Sequence, residues 1–162
     1  MSSAQYEQLS PIIVASMRHH GKHTPDEVGS TWEDLILWAS PRRLLGRNMD
    51  IRGVGLLWDD PRVWPPEMRR YDVGIPIDAE DSPEVDEPAF INLTMPGKYL
   101  KATHEGPYDG VMKTYDDILS MTLKFEGLEL VSAPIIELYR NSPQEVHEDE
   151  LRTDIYFPVT RL

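Results

Sequence analysis

Tyr71-Asp72-Val73-Gly74-Ile75-Pro76 and Thr153-Asp154-Ile155-Tyr156-Phe157-Pro158 are the two stretches whose reading decides the fold. Each sets an aspartate before a short apolar run that ends on a proline, the pattern of a closing strand. Working back along the chain, Trp58-Asp59-Asp60-Pro61 stands against Tyr139-Arg140-Asn141-Ser142-Pro143. Further back, Trp32-Glu33-Asp34-Leu35 stands against Tyr115-Asp116-Asp117-Ile118, and Arg18-His19-His20-Gly21 against Thr103-His104-Glu105-Gly106. Four anchors keep their order at a period of about 80 residues, longer than a solenoid repeat and suited to two halves of one domain. With the third anchor as ruler, Glu137 stands opposite Leu56 and Tyr139 opposite Trp58.

Each unit reads as strand–helix–strand–strand. In the first, about residues 10–77, Ile12 to His20 is a strand of apolar and β-branched start. Thr24 caps a helix with Pro25 at its first position, and Val28, Trp32, Leu35, Ile36 and Ala39 recur at helical spacing up to Pro41. Strands follow near Ile51–Trp58 and Met68–Ile77. The segment 78–88 holds six acids and two prolines and reads as a solvated linker. The second unit, about residues 89–160, opens with Phe90–Met95 and Lys98–His104, broken at Pro96-Gly97. Its helix carries Val111, Tyr115, Ile118, Leu119 and Leu123 on one face and stops at Gly127. Strands near Leu130–Tyr139 and Leu151–Val159 close it. The expected fold is α+β: duplicated units with pseudo-two-fold symmetry and one shared antiparallel sheet. Both helices lie on one face, with a groove between them.

Composition narrows the function. The chain has 162 residues, 40% of them hydrophobic, and a formal net charge of −12. A duplex-DNA binder supplies a basic stripe to displace counterions; here Arg42-Arg43 and Arg69-Arg70 are only pairs, so direct nucleic-acid binding is not expected. No apolar run is long enough to cross a membrane, and Met1 to Ser10 lacks the pattern of a secretory signal. Cysteine is absent, so a cytoplasmic protein is expected. His19, His20 and His23 have no companion ligand pattern, and no Gly-rich phosphate loop occurs, so neither metal nor cofactor is expected.

One acid stands out. Glu137 interrupts the apolar run Ile135-Ile136-Glu137-Leu138-Tyr139, and alternation places Ile135, Glu137 and Tyr139 on one face. Two readings stay open from the residues: an edge-strand glutamate facing solvent, or a carboxylate in a largely apolar pocket. Ring faces would complement such a carboxylate around a cation. Tyr139, Tyr156, Trp58, Tyr71 and Trp38 are the candidates, although packing is the plainer role for each ring alone. Trp32 and Tyr115 lie mid-face on their helices and read as core.

His104-Glu105-Gly106-Pro107-Tyr108, then Pro134 through Pro143, then Glu150 through Val159 together resemble the GyrI-like family, the bacterial transcription-activator effector-binding domains. The resemblance covers the second unit directly and the first through the repeat. It implies a central cleft for small, hydrophobic, cationic or aromatic molecules, and it favours Glu137 as a pocket acid, since relatives carry an acid at the matching position. With about ten residues before the first strand and no room there for a helix-turn-helix, the chain resembles the stand-alone kind. The leading expectation is a stand-alone sensor or sequestering protein for such a molecule. Some stand-alone relatives hydrolyse cyclopropane-bearing toxins, which would make Glu137 catalytic, and some inhibit gyrase by protein contact.

Overall fold

The computed structural model describes residues 3–162. The first half runs β1 (Ala4–Leu9), β2 (Ile13–His20), α1 (Pro25–Ala39), β3 (Gly53–Leu57) and β4 (Arg70–Ile77). The second runs β5 (Phe90–Leu93), β6 (Gly97–Glu105), α2 (Val111–Asp117), a π turn (Ile118–Thr122), α3 (Leu123–Glu126), β7 (Leu128–Leu130), β8 (Ile135–Tyr139) and β9 (Arg152–Arg161). The antiparallel sheet has the order β1-β6-β9-β8-β3-β4-β2-β5, with β7 beside β9. This is the α+β duplication anticipated from the repeat, with one addition. Each half lends a strand to the other: β1 pairs with β6, and β5 pairs with β2. The two halves meet at β3–β8.

Local chemistry explains the elements. Pro25 opens α1, and Asp26 and Glu27 place negative charge in its first turn, where the helix dipole favours it. In the second half, the widened π turn is met by Ser120 and Thr122, whose hydroxyls donate to the Asp116 and Asp117 carbonyls. Gly127 then stops α3 in the left-handed region, at φ 69°. The expected single strand over 130–139 is split by a turn that includes Pro134, which has no N–H to give a ladder.

The sheet buries both of its faces. On the helix side, Val28, Leu35 and Trp38 from α1 and Tyr115, Ile118, Leu119 and Leu123 from the second helical stretch pack on Tyr71, Val73, Leu100 and Ile155. On the other side, Leu9, Val14, Val54, Leu56, Ile136, Leu138 and Tyr156 form a second buried cluster. No helix contributes to this inner face; Ile12 and Ile51 from loops and Leu9 at the end of β1 join the strand residues there. The acidic segment is tied down, Asp81 to Arg47 at 3.0 Å and Asp86 to the Trp38 indole N–H at 2.9 Å.

Candidate functional site

The ladder sets the equivalence between the halves. Leu56 faces Asp72 on β4, and Leu138 faces Asp154 on β9. The structural counterpart of Leu56 is therefore Leu138, and that of Glu137 is Gly55. This corrects by one residue the alignment drawn from the third anchor, where loop lengths hid the shift. Gly55 and Glu137 are also direct neighbours across β3–β8. The pseudo-two-fold axis thus passes between them. A second carboxylate at 55 would set two like charges opposite each other, a destabilising pair. A Cβ at 55 would also lie 1.9 Å from the Tyr71 hydroxyl oxygen. Glycine leaves that room.

Glu137 is 2% exposed, on the helix side of the sheet. Among the described residues it pairs with no Lys or Arg; three phenols satisfy it. Tyr71 and Tyr139 donate to Oε1 at 2.7 and 2.6 Å, and Tyr115 donates to Oε2 at 2.5 Å. The Tyr71 and Tyr139 hydroxyls also lie 2.7 Å apart, so the three oxygens at Oε1 close a triangle. Burial first, and the nearby Glu137 charge second, push all three phenols well above the usual tyrosine range and hold them protonated as donors.

Further rings complete the cage. The Tyr139 ring sits between Trp32 of α1 and Tyr108 at the start of the second helical stretch, edge-on to both, with centroids 5.8 and 5.4 Å away. His23 stacks flat on Tyr71 at 4.9 Å and edge-on to Tyr115 at 5.9 Å. Burial lowers the His23 imidazole pKa, against an opposing pull from Glu137. Trp32, His23, Tyr108 and Tyr139 keep partial exposure, so they form the rim, while Tyr71 and Tyr115 form the floor.

The six candidate ligand residues divide. Glu137, Tyr139 and Tyr71 come together. Trp58 and Tyr156 lie on the opposite, inner face, because they alternate out of register with Glu137 along their ladders. There Trp58 donates to Asp72 at 2.7 Å, and Tyr156 donates to Glu7 at 2.6 Å and accepts from Arg140 at 2.9 Å. Asp72 and Asp154, both fully buried, each hold an arginine, Arg18 from β2 and Arg140 from just beyond β8. Trp38 is buried away from Glu137 and borders a separate groove of about 420 Å³, with Met17, Thr31, Asp34, Leu37 and Pro88.

Four cage residues had no site role in the sequence reading: Tyr115 and Trp32 stood as core, His23 was set aside as a metal ligand, and Tyr108 stood only within the family-like segment His104 to Tyr108. The repeat held the missing signal. Trp32 and Tyr115 are counterparts, and the spacing of His23 from Gly21 equals that of Tyr108 from Gly106. Aromatic residues thus recur at matched positions about the axis.

Comparison with known proteins places the chain. A model of the GyrI-like small molecule binding domain matches residues 4–160. The probable transcriptional regulator YgiV of Escherichia coli K12 is 28% identical over 149 residues, 92% of this chain and 91% of its own. The SPbeta prophage-derived YosT of Bacillus subtilis is 26% identical over 149 residues, 92% of this chain and 96% of its own. Among solved structures, the EcmrR C-terminal domain superposes with a TM-score of 0.75 at 18% identity, covering 100% of this chain and 99% of that one. SAV2435 bound to tetraphenylphosphonium gives 0.69 at 15% identity, covering 98% and 94%. At such identities the two structures share the fold with this chain. No described helix is long and apolar enough to cross a membrane.

Proposed function

Since the chain belongs to the GyrI-like small-molecule-binding family, related to effector domains of transcriptional regulators, we propose that it binds a hydrophobic aromatic cation at Glu137 and acts as a sensor or sequestering protein. One observation carries this reading: a carboxylate at 2% exposure with no Lys or Arg partner among the described residues, solvated by phenols and rimmed by aromatic rings. A carboxylate out of water needs compensation, and hydroxyl dipoles supply it without cancelling its charge. The net negative field stays available to a cation, and the rings offer it their faces. For a ligand to reach Glu137, the Tyr139 ring must move from between Trp32 and Tyr108. Hydrolysis of a strained substrate has less support, because three phenols already occupy three of the four acceptor sites of Glu137 and leave one, on Oε2, to meet a water.

The test uses tetraphenylphosphonium, the cation bound by the neighbour SAV2435, and neutral triphenylphosphine oxide. Glu137→Gln keeps the shape and removes the charge. A charge-assisted contact in a dry site contributes about 1.5–3 kcal/mol, so affinity for the cation should fall about ten- to a hundredfold. Affinity for the neutral compound should stay within about twofold. Calorimetric titration of both ligands reads this out. Equal losses would show that shape governs the site, and no loss for either would remove Glu137 from binding.

A further inference from the structure

Two buried polar side-chain atoms lack a hydrogen-bond partner among the described residues: His23 Nε2 and Thr153 Oγ1. Both belong to the helix side of the sheet around Glu137. Thr153 is fully enclosed, paired in the ladder with Tyr139 and His104. His23 differs, because the residue is partly exposed while its Nε2 is buried. An orphaned nitrogen in a dry setting lowers stability unless a working partner meets it. The ring is fixed by its stack on Tyr71 and its edge contact with Tyr115, two of the phenols that hold Glu137. By contrast, its counterpart Tyr108 packs its ring against Tyr139. The imidazole therefore gives one side of the rim a polar atom.

We propose that His23 Nε2 is a ligand contact that accepts an N–H from the bound cation, which makes amino-bearing planar aromatic cations the preferred ligand class. The proposal rests on the Glu137 reading and narrows it. Accepting is the role that fits: amino groups of the cation that do not face Glu137 still carry N–H groups with partial positive charge, and a lone pair complements them where a second donor would repel. A neutral imidazole has one such lone pair.

Two acridine dyes separate the ideas. Proflavine and acridine orange share the cationic ring, but proflavine carries primary amino groups where acridine orange carries dimethylamino groups. Fluorescence titration near neutral pH compares wild type, His23→Phe, His23→Gln and Glu137→Gln. His23→Phe keeps a flat ring on Tyr71 and should weaken proflavine roughly three- to tenfold, the worth of one neutral hydrogen bond. Acridine orange should change by less than about twofold. His23→Gln, which keeps an acceptor, should retain part of the preference. Glu137→Gln should weaken both dyes. If His23→Phe shifts both dyes alike or neither, the His23 contact is overturned while the Glu137 site stands. If Glu137→Gln changes neither dye, or wild type binds neither, the cation site falls and this contact with it.

Discussion

Glu137 tolerates burial through phenols, and the two ends of its carboxylate are held unequally. Oε1 accepts from Tyr71 and Tyr139, while Oε2 accepts from Tyr115. Tyr115→Phe should therefore strip Oε2 of its donor and cost about 1–3 kcal/mol, the penalty for an unsatisfied buried charged group. Tyr71→Phe leaves Tyr139 on Oε1 and should cost about 1 kcal/mol or less. Urea denaturation of the two variants checks the order. A larger loss for Tyr71→Phe would mean that the Tyr71 hydroxyl, which also lies against the Tyr139 hydroxyl, is the main support of the carboxylate. The sequence singled out Glu137 as an acid in an apolar strand. It could not single out Tyr115, because an aromatic residue mid-face on a helix looks the same whether its hydroxyl is idle or aimed at a carboxylate.

At the level of elements, the site depends on a missing side chain. Gly55 lies opposite Glu137, and a Cβ there would approach the Tyr71 Oη at 1.9 Å and its Cζ at 2.6 Å. Tyr71 is 1% exposed and has little room to retreat. Gly55→Ala should cost about 1–3 kcal/mol by overpacking. It should also weaken tetraphenylphosphonium by pushing a phenol off Glu137. A thermal melt with a parallel titration measures both; unchanged values would show that the Tyr71 ring moves aside freely. Helix α1 was readable from Pro25 and its apolar spacing, and the end of α3 from Gly127. Strand β1 was not. Ala4–Leu9 reads Ala-Gln-Tyr-Glu-Gln-Leu, a polar stretch with little strand signal, and it forms because β6 offers it a six-residue ladder. Likewise, β5 was readable as a strand opening the second unit, but its pairing with β2 across the repeat was not.

For the whole molecule, the net charge of −12 sets what it meets easily. Several arginines are already committed: Arg18 to Asp72, Arg70 to Asp59, Arg52 to Glu145 and Arg140 to Asp154. These pairs tie up cations that would otherwise replace counterions on a nucleic acid. No salt-sensitive shift of duplex DNA is expected at micromolar protein near physiological salt, and a gel shift that shows one would overturn this. The duplication, the α+β class and the acid at 137 were all set by the sequence itself. Spacing of apolar residues, prolines and glycines acts within a few turns or strands, and a repeat preserves that spacing twice. Tertiary structure alone decided the exchange of β1 and β5, the one-residue register that puts Gly55 opposite Glu137, and the face on which each ring lies. It moved Trp58 and Tyr156 to the inner face and brought Tyr115, His23, Trp32 and Tyr108 to the carboxylate. The reason is that strand register is fixed by partners far away in the chain, and a slip of one residue sends every side chain to the other side of the sheet.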